Sequence, residues 1–423
     1  MYVSGLAAEL RSQGAEVVVA TPSHDGVGGD YDFQGVRVRT YPVNARPDAD
    51  ELSGKKPHAG IDVFERLLAE ERPDVYHQHS WSRGLGAFHL RAARGLGLKT
   101  VLTVHTPNTN CLRGTMMRFG RTACDGRIET IRCAACWSQQ RGAPRVLSEV
   151  LARTPPGLAR LAARTAPGAR IGTALAAPEL VMQRKKDFAR MTADADRLVA
   201  VSHWLERAML ANGAPVEKVL LSRQGVDADL LEALRRPASR DRSGVFRLGF
   251  LGRWHPTKGI DVVIGAVRAA PAHIPIALII YGLPSSSEEG AYEAEQRALA
   301  AGDGRIRIEP AACRADLPEV LLGLDALAVP SLWLETGPLV VLEAQASGLP
   351  ILGSAAGGIA ELVKPGRGGR LLPPGDVAAW SAAIMDMAAD VDAVRAARTP
   401  EPVRTMSEAA ADMAALYRSL VPA

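Results

Sequence analysis

The stretch from Asp325 to Ser354, "DALAVPSLWLETGPLVVLEAQASGLPILGS", decides the fold. It opens on a short aliphatic run, "DALAVPS", and closes on another, "PILGS". Between them "PLVVLEAQASG" reads as a helix, because Pro338 suits a first helical position and Gly348 a helix end. Strand, helix, strand is the repeating unit of a parallel sheet covered on both faces. Glu335 then falls in the loop after the first strand, where open α/β sheets bind ligands. Glu343 lies more than a turn inside the helix.

The same alternation extends both ways along the 423 residues. "AEVVVAT", "VRVRTYP", "DVYHQH", "KTVLTVH", "RLVAVS" and "KVLLSRQ" read as strands in the first half. "FRLGFLG", "IPIALIIYG" and "RIRIEP" continue the pattern in the second. "IDVFERLLAEERP" and "SHWLERAMLANG" have helical apolar spacing with Pro or Gly stops. The polar stretch 235–244, "RRPASRDRSG", reads as a linker. The expected domains are therefore 1–235 and 236–402, with a helix over 403–423 that could pack on either. The first domain carries an irregular insertion over about 107–194. It also opens on a helical pattern, "YVSGLAAELRSQG", where a doubly wound domain would open on its central strand. The expectation is a first domain lacking that strand, either lost or encoded upstream of the numbered start.

Composition narrows the function classes. A net charge of +4 over this length, with few aromatics, gives no case for nucleic-acid binding. Glu9 and Arg11 interrupt the beginning, where a signal peptide needs an unbroken apolar run. No uncharged apolar stretch approaches the roughly 20 residues of a membrane span. The reading is a cytoplasmic protein with at most a peripheral membrane contact.

Glu335 and Glu343 would stand about 12 Å apart along a continuous helix axis, too far to share a proton. That spacing suits two carboxylates gripping different ends of a hydroxyl-rich ligand. The amides near Gly337, Leu339 and Val340 would face an anion lying between them. "FLGRWHPTKGID" supplies cations, with Arg253 and Lys258 suited to phosphate and Gly252 permitting close backbone approach. The plainer reading of these residues is solvated surface charge. A glycosidase also uses two carboxylates, but it leaves the cationic glycine loop unexplained.

"GFLGRWHPTKGID", "PSLWLETGPLVVLEAQASGLP" and "AAGGIAELV" resemble the donor-site motifs of family 4 retaining glycosyltransferases. "PDVYHQHSW", "VLTVHTP" and "VSHWLERAMLANGAPVEKVLLSRQGVD" extend the resemblance into the first half. The resemblance implies two facing Rossmann-like domains with a cleft between them, the GT-B architecture. It implies that Arg253 and Lys258 neutralise a donor diphosphate, that Glu335 holds hydroxyls of the transferred sugar, and that Glu343 binds the ribose diol. It places His105 beside the sugar, although a satisfied core histidine is the plainer reading. The implied donor is a nucleotide-diphosphate sugar, the acceptor a glycan or a lipid-linked glycan, and no catalytic metal or other cofactor is needed. From a different class, the chain could be a truncated, non-catalytic nucleotide-sugar-binding protein. A nucleotide-sugar epimerase on a similar fold is a third reading.

Three further features stand outside that core. Cys111, Cys124, Cys133 and Cys136 form a C-x12-C-x8-C-x2-C cluster that fits a structural zinc, or alternatively an iron–sulfur cluster, or simply four reduced thiols. Cys313 reads as packing. His77 and His79 share one strand face, which fits packing better than a zinc pair. From Arg141 to Arg190 basic residues outnumber acidic ones among interspersed aliphatics, as in a segment lying on an anionic leaflet, or in an ordinary solvated face.

Overall fold

The structure is a computed structural model of the full chain. It describes every residue except 1, 26–28, 156, 160, 162–173, 237–242, 284–286, 367–368 and 422–423. Arg160, Arg164 and Arg170 of the basic stretch, and most of the 235–244 segment, lie outside the described residues.

The chain divides into two compact units, Met1–Arg223 with Ser407–Ala423, and Gln224–Met406. The division falls ahead of the polar 235–244 stretch because residues 224–234 are held by the second unit. Val226 forms a parallel bridge with Thr405, and the helix Ala228–Leu234 packs on the helices Leu317–Leu322 and Leu339–Ala346. The final helix, Met406–Leu420, belongs with the first unit.

In the first unit the strands are β1 (Val18–Ser23), β2 (Gly29–Phe33), β3 (Val36–Pro42), β4 (Val75–His79), β5 (Lys99–Val104), β6 (Met117–Arg118), β7 (Thr122–Ala123), β8 (Arg197–Ala200) and β9 (Val219–Leu221). They make a sheet ordered β1-β3-β2, a parallel sheet ordered β4-β5-β8-β9, and the hairpin β6-β7. The first described element is the helix Tyr2–Ser12, which buries Tyr2, Leu6, Ala7 and Leu10. Among the described residues no strand joins the two larger sheets. Of the basic stretch, the helix Ala177–Asp194 is an interior element: Val181, Phe188 and Met191 are buried along it. Lys185 and Lys186 stay exposed on its other face.

The second unit holds β10 (Phe246–Arg253), β11 (Ile276–Leu283), β12 (Ile306–Glu309), β13 (Ala326–Val329), β14 (Ile351–Ser354) and β15 (Arg370–Leu372). All pair in parallel, ordered β12-β11-β10-β13-β14-β15. Renumbered within the unit this is 3-2-1-4-5-6, the order of a dinucleotide-binding sheet. The order reverses between β10 and β13, so the crevice for a ligand opens beyond the ends of those two strands. Phe246, Leu248 and Phe250 of β10, Leu278 and Ile280 of β11, and Trp380 and Ile384 of the helix Val377–Ala389 fill one side of the core. Leu327, Val341 and Ile351 fill the other. No described helix is long and apolar enough to cross a membrane.

Candidate functional site

The residues after β10 and those after β13 are locked to each other. Leu332 N donates to Thr257 O at 2.7 Å. Gly259 adopts φ +69°, and a Cβ there would sit 2.1 Å from Pro330 O. The glycine is required both by its left-handed conformation and by this close approach. Trp254 is fully buried beneath the loop, against a face of Gly282 that leaves no room for a side chain.

On this frame Lys258 Nζ lies 2.7 Å from Glu335 Oε1, and Ser331 Oγ donates to the same oxygen at 2.8 Å. Glu335 is buried, with 7% of its side chain exposed, and Lys258 keeps 21%. The Trp333 ring lies 5.7 Å from Lys258 Nζ. The backbone carbonyl of Glu335 accepts from Gly358 N at 2.6 Å. A Cβ on Gly358 would fall 2.8 Å from both Glu335 O and Thr336 O, which ties the "AAGGIAELV" segment to the loop. Arg253, the last residue of β10, stands exposed at the strand end, next to half-buried Gly252.

The helix after this loop runs Leu339–Ala346, with Pro338 as its cap residue and not its first turn. Leu339 and Val340 therefore begin the helix, where first-turn amides have no carbonyl a turn earlier to satisfy them, whereas Gly337 lies before the cap and outside the helix. Glu343 is buried within the helix. Burial pushes its carboxyl up, and the Arg314 guanidinium opposes that rise. Arg314 Nη1 stands 3.3 Å from Glu343 Oε1, and its Nη2 reaches Asp227 Oδ2 at 3.4 Å. Arg314 and Ser331 were not singled out from the sequence. The partner of Arg314 lies on another element and no motif marks it; Ser331 lies four residues before Glu335 inside the quoted motif, where nothing but proximity pointed to it.

In the first unit His105 follows β5 and His79 ends its neighbour β4. His79 Nδ1 meets His105 Nε2 at 2.9 Å, and the rings stack at 5.2 Å. His77 and His79 do share a face, with ring centroids 4.1 Å apart. His77 bonds Thr103 Oγ1 at 2.7 Å through Nε2 and the Tyr417 hydroxyl through Nδ1. The Tyr2 ring packs 4.9 Å from that of His105. Burial holds His105 down to about 4 and His77 down to about 3, the latter also by its nearness to His105. Burial, with His77 and His105 close by, holds His79 well below its ordinary value. All three are neutral imidazoles at neutral pH.

The four-cysteine metal site is not assembled. Among the described residues no group of three or more His, Cys, Asp or Glu side chains could hold a metal ion. Each of three thiols has its own partner: Cys136 Sγ accepts from Phe119 N at 3.2 Å, Cys124 Sγ lies 3.7 Å from Asp125 Oδ1, and Cys133 Sγ lies 3.7 Å from Arg127 O. Cys111 is half-buried, and Cys313 is exposed beside Asp316 and not packed.

The glycosyl transferases group 1 family matches residues 235–399, and the glycosyl transferase 4-like domain matches residues 1–225. The D-inositol 3-phosphate glycosyltransferase of Paenarthrobacter aurescens is 25% identical over 406 residues, covering 92% of this chain and 84% of that protein. The protein of the same name from Mycobacterium marinum is 30% identical over 53% of this chain, and the match spans only 47% of that relative's length. Sucrose-phosphate synthase from Thermosynechococcus elongatus superposes with a TM-score of 0.65 at 19% identity, covering 99% of this chain and 92% of that one. The starch synthase IV catalytic domain from Arabidopsis thaliana, bound to ADP and acarbose, gives 0.60 at 14% identity, covering 99% and 95%. At such identities the likeness is one of fold: two Rossmann-like units of the GT-B kind. With a reversing parallel sheet, a braced glycine loop and two buried carboxylates each paired to a cation, the chain belongs to the group 1, 4-like family of glycosyltransferases.

Proposed function

We propose that this protein transfers a sugar from a nucleoside-diphosphate donor to a hydroxyl of a glycan or lipid-linked acceptor, retaining the anomeric configuration and using no metal. The observation that carries the reading is the buried Lys258–Glu335–Ser331 contact at the point where the sheet order reverses. A carboxylate and an ammonium held together there present one group for sugar hydroxyls and one for phosphate. The curated relatives named as glycosyltransferases support the same class of chemistry.

The bond that breaks joins the anomeric carbon to the distal phosphate oxygen. Negative charge then grows on the departing diphosphate. Arg253, Lys258 and the amides of Gly337, Leu339 and Val340 meet that charge with fixed cations and dipoles, which lowers the barrier electrostatically. Glu335 accepts hydrogen bonds from the transferred sugar. Glu343, paired with Arg314, accepts from the ribose diol. The acceptor hydroxyl attacks from the face the phosphate leaves, and its proton passes to the leaving phosphate oxygen. His105, neutral at working pH, offers a ring nitrogen to a sugar hydroxyl and is not asked to hold a charge. No side-chain base is required on this route.

Calorimetry with UDP, GDP and ADP tests the donor. One of them should bind the wild type, and Arg253→Ala should weaken that binding at least tenfold, about the loss of one charge-assisted contact. Absence of binding by folded protein, or undiminished binding by the variant, defeats the donor reading. Product analysis with the matching sugar nucleotide then separates transfer from binding alone and from epimerisation. Chelator should leave the rate unchanged.

A further inference from the structure

The helix Arg145–Leu151 lies against the helix Thr130–Gln140, yet only Ser148 of its residues is buried. Ser148 Oγ donates to Ala143 O and Pro144 O at 3.1 and 3.0 Å, which pins the helix start. The outer face carries Val146, Leu147 and Val150, exposed by 77%, 46% and 61%. Val146 and Val150 are one turn apart and Leu147 flanks them, so the three form one continuous aliphatic strip. Leu158 and Leu161, soon after in the chain, are also more than half exposed. Scattered exposed aliphatics are ordinary, but a contiguous strip marks a contact surface.

Its surroundings say what kind. Arg145 stacks over the Phe119 ring at 5.1 Å, and Arg118 lies over the same ring at 5.7 Å. These contacts fasten the helix to the β6–β7 turn, which also carries Arg121. Arg141 covers Trp137 at 5.0 Å, and Arg153 closes the far end. Arg118, Arg121, Arg141, Arg145 and Arg153 are all exposed. Between 117 and 123 and between 141 and 153 they face a single acidic residue, Glu149, which is 3.6 Å from Arg145. An apolar strip bordered by guanidinium groups matches the acyl boundary of a bilayer bordered by its phosphates.

We propose that this face docks on an anionic lipid surface, with Val146, Leu147 and Val150 entering the headgroup boundary and the five arginines contacting lipid phosphates. Resting on the transfer reading, it assigns the acceptor to the lipid-linked class, since docking brings the enzyme to a membrane-held substrate.

The test is co-sedimentation of the full chain with vesicles of phosphatidylcholine, with and without phosphatidylglycerol. The protein should pellet with the anionic vesicles only, and added salt should release it. Val146→Asp with Val150→Asp should weaken vesicle binding at least about tenfold, since two aliphatic side chains no longer leave water. Both positions are exposed, so unfolding temperature and nucleoside-diphosphate binding should stay unchanged. Those two readings separate failure of docking from failure of the donor site. Equal binding to neutral vesicles, binding to neither, or full binding by the variant overturns the proposal. A dimer in light scattering that the same substitutions split overturns it in favour of self-association.

Discussion

The two candidate sites in this chain use opposite electrostatics. In the second unit the candidate side chains are held in oppositely charged pairs, Lys258 with Glu335 and Arg314 with Glu343. In the first unit three histidines pack ring to ring with their charges suppressed. On the proposed function, a site for a diphosphate keeps fixed cations at hand and stores them against carboxylates, whereas a site for neutral hydroxyls gains nothing from charge, and burial can remove it. The lesson is that pairing and burial are two ways of keeping polar side chains inside a protein, and they fail under different perturbations.

The strongest way to break this contrast is to break one pair. Lys258→Ala should lower turnover by roughly 10²–10³-fold, as expected for loss of a preorganised charge at the leaving group. It should also destabilise the chain by about 3 kcal/mol, because Glu335 is left buried without its cation. Adding Glu335→Gln should recover most of the stability and none of the turnover. Thermal unfolding beside a transfer assay reads both. Equal stability of the single and double variants would show that the pair is not electrostatically coupled.

Acid should attack the first unit instead. His77 and His105 have folded pKa values near 3 and 4, below their unfolded value of 6.5. Between those limits the unfolded chain binds more protons than the folded one, so stability is full above about pH 6.5 and falls as pH drops towards 4. His89, held near 3 by burial, adds to the same trend. Asp187 acts oppositely: burial raises it to about 6, so its protonated form gives stability that is present at low pH and lost as pH rises through 6. The net expectation is a falling unfolding temperature over pH 6.5–4, checked by calorimetry. His79→Gln with His105→Gln should flatten that slope if the cluster is its source.

One glycine from each unit separates loop bracing from conformational strain. Gly259→Ala in the second unit meets Pro330 O at 2.1 Å with φ at +69°. It should cost about 2–4 kcal/mol and weaken nucleotide binding, because it parts the two loops. Gly14→Ala in the first unit has φ +90° but nothing within 4 Å, so only the conformational strain of about 1 kcal/mol applies. Denaturant titration of both variants compares them directly. Comparable losses would mean that loop bracing adds nothing beyond strain.

Arg314→Ala sharpens the comparison within the paired site. Glu343 would keep its burial and lose its cation, so its carboxyl should rise further and hold the ribose less well. KM for the donor should rise about tenfold with little change in kcat, the pattern of a contact made equally in ground and transition states. A fall in kcat alone would move Arg314 towards the reacting centre.

What could be read from the sequence follows the distance over which each feature is encoded. β13, the loop with Glu335 and the helix with Glu343 lie within one thirty-residue stretch, so their strand–loop–helix order was visible without coordinates. Every strand expected from an aliphatic run is present. β2, β6, β7 and β15 were missed, being short or polar and without the periodicity that marks a strand. Arg314 precedes Glu343 by 29 residues, and no local pattern announces such a partner. The cysteine spacing fitted a metal site, but spacing fixes neither the direction of a thiol nor its hydrogen bond. Which part of the basic stretch is open to solvent was equally illegible, since the aliphatics of the helix Ala177–Asp194 face inward and those of Arg145–Leu151 face out.

The smallest expected effect concerns the longest link. His77 and Tyr417 are separated by 340 residues and meet through one hydrogen bond. Both ring nitrogens of His77 contact hydroxyls, which can donate or accept, so the neutral ring is satisfied in either tautomer. Tyr417→Phe removes one of those partners while keeping the ring that packs 5.7 Å from His77. The cost should be about 1 kcal/mol, that of one neutral hydrogen bond. Because Tyr417 lies on the helix Met406–Leu420, the variant should raise amide exchange in that helix while leaving exchange in β10 and β13 unchanged. If the helix exchanges as in the wild type, the apolar packing of Ala409, Ala410 and Met413 holds it to the first unit, and the hydroxyl serves only to orient His77.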